Sequence, residues 1–321
     1  MKRREFLISA AAVAAAAGSP NVWAQAPKGA KQSTLDRIAI MTLNFQSMLR
    51  VPDEPETPTR TLELFDIAEM IADKYGVHKV EFQHYHIPST ESSYLKELRG
   101  HIEKSKSRMT QINLEFSGLN MSAPRLRDRL MAIDLTKMWI DHAVMLGAQR
   151  VMINQGSQGG TSPVMPTHEN KVYGIPALKA MADYGRSKGI IVSVETRGGG
   201  GGRGRGQGVP SEMPAPPATP PMPQPEVWAL LAEILKASGA HANVDVGGAG
   251  AANQEELHQC LKMLFPYTAG SMHTRVNQRW DLATAIKFLE HDLGYKGLYT
   301  IEASNGHEGT QAIYDVVVAT V

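Results

Sequence analysis

From Arg37 to the C-terminus, short apolar runs alternate with stretches whose apolar residues recur at helical spacing. The stretch before the second run is typical, because Leu64, Ala68, Ile71 and Tyr75 fall on one stripe of a helix. Glycine often ends helices, since it adopts the left-handed conformation at little steric cost. Five glycines close helical stretches shortly before an apolar run: Gly76, Gly147, Gly189, Gly239 and Gly294. The pattern predicts an alternation of strands and helices.

Eight apolar runs fit this alternation as strands. They are Ile38–Leu43, Lys79–Phe82, Gln111–Phe116, Arg150–Asn154, Ile190–Val194, Ala242–Val246, Gly270–His273 and Leu298–Ile301. Eight strands that alternate with helices predict an α/β fold, a (β/α)8 TIM barrel, as a single domain over residues 37–321. A doubly wound open sheet is the alternative. It is disfavoured because no glycine-rich phosphate fingerprint opens the first helix.

One segment interrupts the alternation between the fifth strand and its helix. Residues 198–225 are almost all glycine, proline and small polar residues, a composition that cannot bury apolar surface. It predicts a flexible insertion, with the helix resuming near Glu226; a lid over the strand ends is the alternative. Arg203 and Arg205 stand between glycines as in RNA-binding repeats, but two arginines are too few to support that role.

The first 24 residues have the pattern of a targeting segment. Arg3 and Arg4 precede a short apolar run, Leu7–Ala17, and a small-residue cleavage site ends at Ala24. This resembles a twin-arginine signal peptide, which predicts export by the twin-arginine machinery to the periplasm or beyond. No long apolar run follows, so we expect no stable membrane span.

Composition narrows the function further. The chain has 33 basic and 32 acidic side chains, a formal net charge of +1, which argues against a nucleic-acid partner. Cys260 is the only cysteine, so no disulfide can form within the chain.

Four polar residues lie at or near the ends of late strands, where a core strand would not place them. In a parallel barrel the ends of all strands meet at one mouth. Three carboxylates and an imidazole there would repel one another or lack partners unless they shared a cation. They are Glu195, Asp245, His273 and Glu302. Oxygen-rich ligation with one nitrogen predicts one divalent metal ion, Mn²⁺ first, with Mg²⁺, Co²⁺ or Zn²⁺ as alternatives.

Three further residues lie at predicted strand ends. Glu81 and His84 belong to the second strand and the segment after it, and Gln155 follows the fourth strand. Their position at the mouth predicts contact with a substrate. A surface histidine and a loop cap are the alternatives for His84 and Gln155.

With these motifs, the chain from Ile38 onward resembles the sugar phosphate isomerase/epimerase family. This group belongs to the xylose isomerase-like TIM barrels and is related to the apurinic endonuclease family 2 barrels. The four strand-end residues match the family's metal-binding quartet in order and strand context. The resemblance implies that Glu195 and Glu302 act as the acid/base pair. It also places Arg279 where ketose epimerases carry a substrate-binding arginine.

The chain departs from the family pattern near two of these residues. Many relatives have a histidine where this chain has Gly248, and a basic residue followed by aspartate after the metal-binding histidine. Here His273 is followed by Thr274, Arg275 and Val276. These departures leave the sugar open. Because the endonucleases need extra histidines, the glycine also disfavours a DNA-repair role.

The sequence therefore predicts an exported, metal-dependent sugar isomerase or epimerase. It would act on a small sugar or sugar derivative through a metal-stabilised enediolate. The alternatives are a metal-dependent lyase or dehydratase acting on an oxidised sugar, and a non-catalytic sugar-binding protein. The oligomeric state stays open, with a homo-oligomer among the possibilities.

Overall fold

The computed structural model describes residues 30–51, 55–116, 119–154, 166–196 and 222–321. The predicted signal peptide and nearly all of the predicted insertion therefore lie outside the described residues.

Within that described part, eight parallel strands close into a barrel in sequential order. Strand β8 pairs with β1 through Ile38 and Tyr299, which completes the circle. The strands are β1 (Ile38–Met41), β2 (Lys79–Gln83), β3 (Arg108–Leu114), β4 (Arg150–Ile153), β5 (Ile191–Glu195), β6 (His241–Asp245), β7 (Thr268–Thr274) and β8 (Leu298–Ile301). The predicted (β/α)8 TIM barrel is confirmed.

Helices cover the outside of this barrel. After a short first helix, α1 (Gln32–Leu35), the described helices are α2 (Ile67–Tyr75), α3 (Ser92–Lys104), α4 (Leu126–Leu146), α5 (Lys171–Ser187), α6 (Gln224–Ser238), α7 (Gln254–Leu264), α8 (Leu282–Lys287) and α9 (Gly306–Thr320). The predicted stripe of α2 packs inward, with Ala68, Ile71 and Tyr75 fully buried. Helices α2, α4 and α6 end at Gly76, Gly147 and Gly239, each left-handed as predicted.

Strand β8 has the predicted bounds, whereas the other strands are shifted by one to three residues at one or both ends. Strand β1 ends at Met41, because Thr42–Phe45 forms a 3-10 turn. Strand β3 begins at Arg108, three residues before the predicted start, because Arg108 pairs with Lys79 of β2. The local sequence pattern does not show this pairing. Helix α6 begins at Gln224, within the predicted insertion. Pro225 fits in the first turn of this helix, because backbone N–H groups there have no hydrogen-bond partner within the helix and proline lacks the N–H.

A half-buried ion pair connects elements at the end of the barrel where the strands begin. Arg37, just before β1, donates through Nη1 and Nη2 to both carboxylate oxygens of Glu290, at 2.8 and 2.7 Å. The hydroxyl of Tyr299, on β8, donates to the same carboxylate at 2.7 Å. Arg37 also donates to the carbonyl oxygens of Tyr295 and Gly297. This network joins β1 to β8 at the face opposite the strand ends.

Among the described residues, no helix combines the length and apolarity that crossing a bilayer requires.

Candidate metal centre at the barrel mouth

Four neighbouring strands bring the candidate ligands to one end of the barrel. Glu195 and Asp245 are the last residues of β5 and β6. His273 lies next to last on β7, directly opposite Asp245 in the β6–β7 register. Glu302 follows β8 immediately, and its backbone N–H donates to the carbonyl oxygen of Thr274. The parallel register thus aligns residues that are far apart in the sequence.

His273 lies at the centre of this group with a carboxylate on each ring nitrogen. Its Nδ1 lies 2.9 Å from Oε1 of Glu195 and 3.3 Å from Oε2 of Glu302. Its Nε2 lies 2.6 Å from Oε1 of Glu81, on β2. Burial alone would lower the pKa of His273. The charge of Glu81 and hydrogen bonds to Glu195, Glu302 and Glu81 outweigh burial and raise that pKa well above its usual value. When protonated, the imidazole donates from both nitrogens; to ligate a metal through Nδ1 it would give up the proton on that nitrogen.

Asp245 is held by an arginine that sequence reasoning did not assign to the site. Arg275 donates from Nε to Oδ1 of Asp245 at 3.2 Å, and its Nη2 lies 2.5 Å from Oδ2. Its Nη1 lies 3.4 Å from Oε1 of Glu302. The backbone N–H of Gly247 donates to Oδ1 of Asp245 at 2.9 Å. The basic residue two positions after His273 was the available signal, but its partner depends on the tertiary structure.

Three of the four predicted ligands lie close enough to share one ion. Ligand atoms of Glu195, His273 and Glu302 all lie within 4.8 Å of one another. Asp245 is next to this group but outside it, because Arg275 occupies both of its oxygens. The structure therefore brings together three predicted ligands and pairs the fourth with a cation of the chain.

The charges and free lone pairs of this site fit a divalent cation. Glu81, Glu195, Asp245 and Glu302 are four carboxylates, and in the described part of the chain they contact two cationic groups, His273 and Arg275. Oε2 of Glu302 is buried and lies 3.3 Å from Nδ1 of His273, a nitrogen that already has Oε1 of Glu195 at 2.9 Å. Burial, with the charge of Glu302 adding to it, raises the pKa of Asp245 to about 7 despite Arg275. An excess of buried negative charge is what a bound metal would relieve.

Comparison with solved structures identifies the fold. A D-psicose 3-epimerase from Clostridium cellulolyticum H10, solved with D-tagatose, shares 11% identity at a TM-score of 0.59, covering 88% of this chain and 96% of that one. A sugar phosphate isomerase/epimerase from Parabacteroides distasonis shares 13% at 0.59, covering 88% and 94%. A xylose isomerase-like TIM barrel protein from Mycobacterium smegmatis, in complex with magnesium, shares 14% at 0.56, covering 90% and 98%. The chain has the same TIM barrel fold as these proteins. No family model and no curated protein matches it in sequence.

Within the barrel, Glu81 lies beneath the candidate ligands rather than open to the mouth. Its side chain is fully buried, and Asn113 donates to its Oε1 at 2.7 Å. With His273 on the same oxygen, Glu81 is placed to orient that imidazole. This position favours support of His273 over the substrate contact that the sequence predicts for Glu81.

The other three predicted substrate contacts have different surroundings. The backbone N–H of Glu115 donates to Nδ1 of His84 at 3.2 Å, and burial lowers the pKa of His84 to about 4, so its imidazole is neutral. Its ring packs edge-on against Phe116. Arg279 is exposed and donates from Nη1 to the carbonyl oxygen of Ala251 at 3.2 Å. Gln155 lies outside the described residues. Substrate contact by His84, Arg279 and Gln155 stays a prediction.

Proposed function

We propose that the protein is a divalent-metal-dependent sugar isomerase or epimerase. One observation carries the proposal. Glu195, His273 and Glu302 form a buried group at the mouth of a xylose isomerase-like barrel, with ligand atoms within 4.8 Å of one another. The oxygen-rich donor set with one imidazole nitrogen is of the kind that divalent cations such as Mn²⁺ bind, which supports a metal at this site. Similar solved structures that are named as a sugar epimerase and a sugar phosphate isomerase/epimerase support a sugar substrate.

Glu195, His273 and Glu302 would hold the metal, with Asp245 as the fourth ligand, and Mn²⁺ is the proposed ion. When bound, the cation supplies Lewis acidity that stabilises negative charge as it develops on substrate oxygens. Such stabilisation is worth several kcal/mol in other metalloenzymes. The remaining chemistry belongs to the side chains.

Glu302 and Glu195 are the proposed acid/base pair. The side chain of Glu302 is 14% exposed and that of Glu195 4%, so Glu302 is the more accessible from the mouth. Glu302 accepts the proton from the carbon beside the substrate carbonyl, through its side-chain carboxylate. In epimerisation Glu195 returns a proton to the opposite face of that carbon. In isomerisation one glutamate moves the proton between neighbouring carbons.

The test joins metal content to proton transfer. Elemental analysis of the purified protein should find about one divalent ion per chain, as a single site of this kind requires, and His273→Ala should lose it. NMR in deuterated water should show solvent deuterium entering a ketohexose at a carbon beside the carbonyl. Glu302→Gln should slow this exchange about 10²- to 10⁴-fold, the usual contribution of a positioned general base. Glu97→Gln, an exposed glutamate on α3, is the matched control. Metal-free wild type, or full exchange in Glu302→Gln, would contradict the proposal.

We also propose that residues 1–24 direct export by the twin-arginine machinery. The paired Arg3 and Arg4 before an apolar run support this. The protein recovered from the periplasm should begin at Gln25, as N-terminal sequencing would report. Changing both arginines to lysine should leave the precursor in the cytoplasm. Equal periplasmic recovery of wild type and this variant would contradict the proposal.

A further inference from the structure

Two consecutive glycines after β6 make the space in which Arg275 lies. A Cβ atom on Gly247 would lie 2.0 Å from Cγ of Arg275. A Cβ atom on Gly248 would lie 1.9 Å from Oδ2 of Asp245 and 2.1 Å from Nη2 of Arg275. Any other residue at either position would displace the arginine from the aspartate. The absence of a side chain at Gly247 and Gly248 therefore admits the guanidinium.

Arg275 takes up the carboxylate that the metal centre would need as its fourth ligand. Both oxygens of Asp245 lie within hydrogen-bond distance of the guanidinium, which contacts them through Nε and Nη2. A metal ion and a guanidinium both seek the lone pairs of the same two oxygens, so binding of one weakens binding of the other.

The two partners differ in their freedom to move. The side chain of Asp245 is 1% exposed, whereas that of Arg275 is 40% exposed toward the mouth. Arg275 can leave the pair by rotating into solvent, but Asp245 cannot. Once the metal takes the carboxylate of Asp245, Nη1 of Arg275 still lies near Glu302, at 3.4 Å, but Nε and Nη2 lose their partner. These two donors on one edge of the guanidinium are suited to bind another carboxylate in a bidentate manner.

We propose that Arg275 competes with the metal for Asp245 and, when the metal displaces it, binds the carboxylate of an acidic sugar substrate. This inference rests on the metal centre of the proposed function and adds the substrate class. Neighbouring residues support it. Arg279, four residues further along, is exposed on the same loop. Val276, next to Arg275, is 61% exposed and adds no negative charge that would repel an anion.

The first experiment measures Mn²⁺ affinity by calorimetry on the full chain. Arg275→Met should bind Mn²⁺ about tenfold more tightly than wild type, within the usual range of coupling between two ligands. Arg275→Lys, which keeps the charge but loses the bidentate fork, should lie between them. Arg99→Met is the matched control, since Arg99 is also partly exposed and paired with one carboxylate, at 2.7 Å. Its Mn²⁺ affinity should equal that of wild type.

A double-mutant cycle tests whether the effect passes through Asp245. In an Asp245→Asn background, Arg275→Met should change Mn²⁺ affinity by no more than about twofold, since the contested carboxylate is gone. A tenfold gain that persists in that background would overturn the proposed competition. Circular dichroism on each variant checks folding. If Arg275→Met does not fold, the Mn²⁺ affinity of Arg275→Lys is compared with that of wild type instead.

The second experiment tests the anion with D-gluconate and D-glucitol, which differ by a carboxylate in place of a hydroxymethyl group. With Mn²⁺ present, wild type should prefer gluconate by about tenfold, the coupling expected for one added charged contact. The preference should vanish without Mn²⁺ and in Arg275→Met, and persist in Arg99→Met. Titration of gluconate into Mn²⁺ buffer corrects for direct chelation.

The outcomes separate this inference from the function on which it rests. If wild type and Arg275→Met both fail to bind Mn²⁺, the proposed function fails and this inference with it. If both bind Mn²⁺ equally, the competition is overturned while the proposed function stands. If Mn²⁺ binding responds to Arg275 but wild type does not distinguish gluconate from glucitol, the assignment of an acidic substrate is overturned.

Discussion

His273 donates its Nε2 proton to Oε1 of Glu81 across 2.6 Å, and neither side chain is exposed to solvent. The contact orients the imidazole so that Nδ1 points to Glu195 and Glu302. A carboxylate on the far nitrogen of a metal-binding histidine fixes its orientation and raises its basicity. Glu81 therefore supports the candidate metal centre from within the barrel.

Glu81 is not a proposed metal ligand, but replacing it should weaken metal binding through its contact with His273. We expect Glu81→Gln to lower Mn²⁺ affinity about 10- to 100-fold, because partners behind a ligand histidine usually contribute that much. Calorimetric titration with Mn²⁺ measures it, and Glu97→Gln on the exposed face of α3 is the control. An affinity equal to that of wild type would show that Glu81 does not act through His273.

The ion pair at the opposite face of the barrel should matter for stability. Arg37→Met leaves the half-buried carboxylate of Glu290 without its bidentate partner. We expect the free energy of unfolding to fall by about 2 kcal/mol, between the usual costs of breaking an exposed and a fully buried pair. Urea unfolding followed by circular dichroism measures it. Arg50→Met, at an exposed pair with Glu63, should cost less than about 1 kcal/mol. Equal losses in both variants would contradict the role assigned to Arg37.

Stability should fall as the pH drops below neutral, and His86 should account for part of the loss. His86 is fully buried, and its Nδ1 lies 2.8 Å from Oγ1 of Thr42. Burial, with the charges of His84 and Arg60, lowers its pKa to about 3. The unfolded chain, with a histidine pKa of about 6.5, binds the proton first, so stability is present above about pH 6.5 and is lost as the pH falls toward 3.

The test compares the free energy of unfolding at about pH 7 and about pH 5, where this linkage contributes about 2 kcal/mol for one such histidine. His86→Asn should reduce the difference between the two pH values by about that amount. Thr42→Val removes the hydroxyl partner but keeps the histidine, so it should lower stability while the pH dependence persists. A pH dependence unchanged in His86→Asn would contradict the assignment.

Backbone strain should be measurable at Lys106, just after α3. It is left-handed, with φ of 57°, a conformation that costs an L-residue about 1–2 kcal/mol. Lys106→Gly should therefore raise the free energy of unfolding by about 0.5–1 kcal/mol after the extra entropy of glycine in the unfolded chain. Gly189→Ala is the reciprocal variant, because Gly189 has φ of 72° and no atom within 4 Å of an added Cβ. Gly189→Ala should lower the free energy of unfolding by about 1 kcal/mol, because alanine is strained in the left-handed conformation. Thermal unfolding of both variants is the measurement, and a shift of the same sign in both would contradict this account.

Much of the fold could be predicted because its signals are local. Apolar runs mark strands, and glycines such as Gly147 and Gly239 mark helix ends whatever lies around them. The start of β3 was missed because it depends on the pairing of Arg108 with Lys79, which no local pattern records.

By itself, the amino-acid sequence determined the eightfold alternation and the placement of Glu195, His273 and Glu302 at strand ends, because the period of a strand and the parallel order of a barrel follow from the chain alone. Only the tertiary structure decided which charges meet. The register of β6 and β7 and the open space over Gly247 and Gly248 place Arg275 on Asp245, and the barrel interior places Glu81 behind His273. Ion pairs form between side chains far apart in sequence, so the folded geometry, rather than spacing along the chain, selects the partners.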